Sequence, residues 1–178
     1  MNNVANGNKT TNISCRIEKL VYDKLSLEAK NKGISVNSWV SSIFRHHIRW
    51  QKFSNELGLV PMTKPLLEII FEQMDDKTIE LIATEFGGVV PKGLLYLSGN
   101  SMNFENMMEA LEINANRFGA VKHSSHDGVH DFNIHHGISK NFSQFLGLVH
   151  QRLANDLSYK FEINNLDKNM LCMNFSES

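Results

Sequence analysis

The chain has 178 residues, 42% apolar and 21% charged, with a formal net charge of −1. These are the proportions of a soluble globular protein of one ordinary domain or two small ones. No run of about 18 apolar residues suggests a membrane-spanning helix. The polar, Asn-rich start lacks the apolar stretch of a secretory signal, so a cytoplasmic location is expected. Cys15 and Cys172 lie far apart without CxxC spacing, which argues against a disulfide framework and a zinc knuckle.

Taken in chain order, residues 1–11 read as a disordered tail. Asn12–Glu18 alternates polar and apolar, the period of a half-buried strand, with Ile13, Cys15 and Ile17 on the inner side. From Lys19 the spacing becomes helical, and Gly33 is a natural stop. Ser35 is placed to cap a second helix running from Val36 to about Phe53. Residues 54–63, broken by Gly58 and Pro61, form a connector. Helices are expected over Lys64–Met74 and Lys77–Phe86, the latter stopped by Gly87-Gly88. Val90–Leu97 fits helix or strand equally. Phe104–Phe118 is an amphipathic helix. Ala120–His126 and Val129–His136 flank Asp127-Gly128, a strong hairpin signal. Ser139–Leu157 is helical, and strands Lys160–Asn164 and Met170–Phe175 follow. Residues 12–53 and 64–178 thus divide into a small N-terminal domain and an α+β domain. The latter has helices packed on a mainly antiparallel sheet, with a ferredoxin-like arrangement as one candidate.

Charge separates the same two parts. Residues 1–53 hold nine Lys or Arg and three acids, a formal +6, and the remainder carries −7. Such asymmetry points to an N-terminal part that meets an anion. A two-stranded β-ribbon fits the major groove of DNA. One chain here supplies one strand, so a ribbon requires a dimer. The outward residues are Asn12, Ser14 and Arg16, and Arg suits guanine as Asn suits adenine. The start of the second helix, at Ser35, Val36 and Asn37, offers free backbone N–H groups to a phosphate.

The run Asn12-Ile13-Ser14-Cys15-Arg16-Ile17, then Leu20 and Leu25, then Lys32-Gly33-Ile34-Ser35-Val36-Asn37-Ser38-Trp39-Val40, resembles the ribbon-helix-helix repressors of the Arc/MetJ/CopG type. The likeness covers about residues 10–50. It implies an intertwined homodimer, or a higher homo-oligomer, that binds double-stranded DNA and regulates transcription. It makes Asn12, Ser14 and Arg16 the base readers and Ser35–Asn37 the phosphate clamp. The fold also serves antitoxins, but those carry a short tail where this chain has a second domain.

Five of the eight histidines fall within fourteen residues: His123, His126, His130, His135 and His136. The Asp127-Gly128 turn puts Val121, His123, His130, Phe132, Ile134 and His136 on one face, which Phe132 marks as the buried one. His123, His130 and His136 are the candidate ligands if a transition metal is held there. Nickel-responsive repressors join a ribbon-helix-helix domain to a histidine-bearing α+β domain, a likeness of architecture alone. In that alternative the chain is a metal- or small-molecule-binding sensor whose N-terminal segment mainly dimerises. Spacing by itself does not specify a ligand set, so the reading adopted is hairpin histidines without a cofactor. No P-loop, dinucleotide fingerprint, GxSxG or HExxH occurs, and no enzymatic activity is expected.

Overall fold

The computed structural model describes residues 11–51, 58–97 and 103–177. Residues 1–10 of the expected tail, the end of the second helix at 52–53 and residues 54–57 of the connector lie outside the described residues. The chain divides into two compact units, Met1–Ile48 and Arg49–Ser178.

In the N-terminal unit, helix α1 spans Lys19–Asn31 and helix α2 spans Val36–His46, and a π-helical turn over His47–Gln51 crosses the boundary between the units. The turn between them is a complete Schellman motif. Gly33 takes φ +68°, its N–H donates to Lys30 O, and Ile34 N–H donates to Ala29 O. Ser35 caps α2, its Oγ accepting from Ser38 N–H at 3.1 Å. Trp39 ties the helices together. Its indole N–H donates to Glu28 Oε2 at 2.9 Å, and Lys32 Nζ sits 4.6 Å from the ring centroid.

Two expectations fail here. Residues 11–18 form no strand, and Ile13, Cys15 and Ile17 are exposed rather than turned inward. A strand exists only through hydrogen bonds to a neighbour, and no segment among the described residues pairs with this one.

The C-terminal unit holds helices α3 (Lys64–Glu72), α4 (Asp76–Leu97) and α5 (Phe104–Ala115). The hairpin β1 (Ala120–His126) and β2 (Val129–His135) follows, then helix α6 (Lys140–Leu157). The hairpin β3 (Lys160–Leu166) and β4 (Met170–Ser176) completes it. The sheet has the order β1-β2-β4-β3 and is antiparallel throughout. It is a hairpin–helix–hairpin arrangement, with β4 inserted between β2 and β3. The ferredoxin-like candidate is therefore wrong, because that pattern alternates helices with single strands and hairpins (βαββαβ). The α+β class and the antiparallel sheet stand.

The turn at Asp127-Gly128 has φ +49° and +75°, the two positive values that a type I′ hairpin needs. It pairs Ser125 with His130 and His123 with Phe132. One face of the sheet buries Phe132, Ile134, Leu171, Met173 and Phe175. Helix α5 packs over β1 and β2, α6 packs over β3 and β4, and α3 and α4 pack on α6. Asn103 and Ser139 cap α5 and α6 through side-chain oxygens.

Gly87-Gly88 does not stop α4, which runs on past Pro91 to Leu97. A Cβ on Gly87 would stand 3.1 Å from Val149 O and 3.2 Å from Val149 Cα. The glycine is there so that α4 can lie close against α6. A second glycine is more tightly held. A Cβ on Gly119 would collide with the carbonyl oxygen of His135 and crowd the Cα of His136. Both are backbone atoms of the β2 end, so neither can rotate away. Gly119→Ala should destabilise the C-terminal unit by about 1–3 kcal/mol, the range of overpacking in a closed site. Urea unfolding followed by far-UV circular dichroism measures it, and an unchanged midpoint would show that the β1 entry is free to shift.

Candidate functional site

Three groupings carry chemistry. The first is the sequence-predicted DNA surface. Asn12, Ser14 and Arg16 are all exposed, as are Ser35 and Asn37, with Val36 half-buried. The first-turn N–H groups of α2 have no partner within the helix, as at any helix start, and Ser35 Oγ takes up that of Ser38.

Around this surface the apolar side chains are uncovered. Ile13 is 74% exposed, Ile17 48%, Leu20 65%, Leu27 60% and Ile48 64%. Among the described residues of this unit only Ala29 is a buried apolar residue.

The second grouping is the histidine pair on the β1–β2 hairpin. His123 Nδ1 lies 2.7 Å from Glu112 Oε2, His123 Nε2 lies 3.0 Å from His130 Nδ1, and His130 Nε2 lies 3.2 Å from Ser125 Oγ. With both rings neutral, one set of protons satisfies all three contacts. The Ser125 hydroxyl donates to His130, His130 Nδ1–H donates to His123, and His123 Nδ1–H donates to the Glu112 carboxylate. The chain is polarised toward the carboxylate and joins the hairpin to α5. The His123 ring also stacks on Phe132 at 4.2 Å, and His130 meets Phe104 edge-on at 5.1 Å. Glu105 Oε1 stands 3.6 Å from His130 Nε2. Sequence reasoning found the two histidines and their shared face. It missed Glu112, Ser125 and Glu105, because nothing local says which turn of α5 lies over the hairpin.

The third grouping separates His136 from that pair. His136 is fully buried, with Nε2 2.6 Å from Ser143 Oγ and Nδ1 accepting from Ile138 N–H at 3.1 Å. Ser143 Oγ donates in turn to Asp167 O at 2.6 Å. The serine proton is thus committed to Asp167, and His136 carries its own proton on Nε2. Both ring nitrogens are engaged, so His136 does not converge with His123 and His130. Among the described residues no three His, Cys, Asp or Glu side chains form a metal-holding group. Burial, and then the nearby Lys64 ammonium, push the His136 pKa down to about 4. A second buried histidine, His150, donates Nδ1–H to Leu146 O at 2.6 Å, and burial takes its pKa down to about 4 as well.

No family model matches the chain, and no curated protein is detectably similar to it. No helix among the described residues is long and apolar enough to cross a membrane.

Proposed function

We propose that the protein is a sequence-specific DNA-binding transcription regulator acting as a homodimer. Paired N-terminal segments of two copies form a β-ribbon in the major groove, with Asn12, Ser14 and Arg16 facing the bases. The first turn of α2, Ser35–Asn37, rests on a phosphate.

The observation that carries this reading is the uncovered apolar surface of the N-terminal unit. Fewer than fifty residues with one buried apolar side chain cannot hold two helices in place in water. An apolar surface left uncovered in this way is what an interface offers. A second copy supplies the same surface under two-fold symmetry. It also supplies the missing strand partner for residues 12–17, whose alternation then becomes meaningful. Pairing turns Ile13, Cys15 and Ile17 onto the helices and leaves the polar set outward. The +6 charge of residues 1–53 lies on the part so assigned.

The test has two arms. Sedimentation equilibrium should find a dimer at micromolar concentration, and Ile17→Asp should return it to monomer. Selection from random duplex DNA should enrich a short, two-fold-related sequence. A monomeric wild type, or a selected pool with no common sequence, would remove the basis of the proposal.

A further inference from the structure

A cavity of about 400 Å³ opens between α3, α4 and α6, wholly inside the C-terminal unit. That is within the size range of small-molecule sites. Its wall is aromatic: Phe71, Phe86, Phe118, Phe142 and Phe145 all line it. The rings hold one another edge-on or tilted, Phe71 with Phe142 at 5.0 Å, Phe118 with Phe142 at 5.3 Å, and Phe86 with Phe145 at 5.6 Å. Such a wall is fixed in place before anything enters.

Among the described residues the charged groups on the lining are Lys64 and Arg117, both cationic, with no carboxylate beside them. Lys64 Nζ donates to His136 O at 2.8 Å, which anchors the ammonium while leaving it two further donors. Arg117 Nη1 donates to Asn114 Oδ1 at 3.1 Å. Its side chain is solvent-accessible as a whole, but packing strips part of the guanidinium's hydration and lowers its pKa. At the rim Val60 and Met62 stand in water, 73% and 45% exposed. The site therefore offers apolar walls, an apolar lip and two positive charges.

We infer that this cavity binds a small amphiphilic carboxylate, its aryl or alkyl body against the phenylalanine rings and its carboxylate between Lys64 and Arg117. The inference stands apart from DNA recognition, since every residue in it belongs to the C-terminal unit.

Isothermal titration of the full chain with 3-phenylpropanoate and octanoate tests it, with the neutral amides of both as controls. Each carboxylate should bind with one site per chain and at least about tenfold more tightly than its amide. Arg117→Gln should remove that preference while leaving amide binding unchanged. Leu67→Trp, which fills the cavity, should abolish binding of all four compounds. Met62→Glu alters an exposed rim position, so it should fold normally. It should weaken the carboxylates at least tenfold and spare the amides. The inference is overturned if no carboxylate binds at millimolar concentration. It is equally overturned if binding survives both Leu67→Trp and Met62→Glu, because the probes then sit elsewhere, for example on the apolar face of the N-terminal unit.

Discussion

Between pH 6.5 and pH 4 the C-terminal unit should lose several kcal/mol of stability, and two buried histidines should account for most of the loss. His136 and His150 each fall from an ordinary 6.5 to about 4 in the folded chain, chiefly because burial penalises the charged form. Between those values the unfolded chain binds protons that the folded chain refuses, so stability rises with pH across the window. It is fully present above 6.5 and is lost as pH falls toward 4. Each group contributes at most about 3 kcal/mol by the low end of the window. Geometry points the same way. Protonating His136 would set a new N–H against the Ile138 N–H that Nδ1 now accepts. His150⁺ would be a charge enclosed within α6 and the sheet, with Phe175 nearby at 6.2 Å between ring centroids. Urea unfolding from pH 7 to 4.5 should give a slope near two protons, about 2.7 kcal/mol per pH unit at its steepest. His150→Gln keeps an amide able to donate to Leu146 O, and it should reduce the slope to one proton. A slope unaltered by that substitution would show that other groups drive the acid transition.

Local signals in the sequence gave reliable local results. Gly33 and Ser35 punctuate α1 and α2, and Asp127-Gly128 sets a hairpin register that carries His123 and His130 onto the buried face. These work because a cap or a type I′ turn is decided by a few adjacent residues. What was not legible depends on partners distant in sequence. Gly87 reads as a helix stop but serves close helix packing, and only the position of Val149 reveals it. His136 belongs by spacing to the hairpin cluster, yet one step past the end of β2 it turns toward Ser143. The phenylalanines of the cavity come from α3, α4, α6 and the segment after α5, so no one stretch of sequence shows them together. The strand expected over Asn12–Glu18 is not formed in the single chain, where no described segment pairs with it.

Binding to DNA, as proposed, should be among the most salt-sensitive properties of this protein. A dimer that neutralises about six phosphates loses roughly 10³-fold in affinity between about 50 and 200 mM salt. Two substitutions separate the roles assigned to the N-terminal unit. Arg16→Ala removes a base contact worth about 1–3 kcal/mol per half-site. Preference for the selected sequence over random duplex should then fall at least tenfold, while the dimer and the helices persist. Val36→Pro acts differently. Val36 is the first residue of α2, and Ser35 before it is already extended at φ −72°, ψ 154°, so proline fits there without breaking the helix. It deletes one N–H at the helix start, the donor assigned to a phosphate. Affinity should fall by a similar factor for every sequence, and the preference should survive. If Arg16→Ala instead weakens all duplexes equally, Arg16 is a phosphate contact and the ribbon is not reading bases through it. If neither variant alters binding, the DNA surface lies elsewhere and the N-terminal pairing serves dimerisation alone.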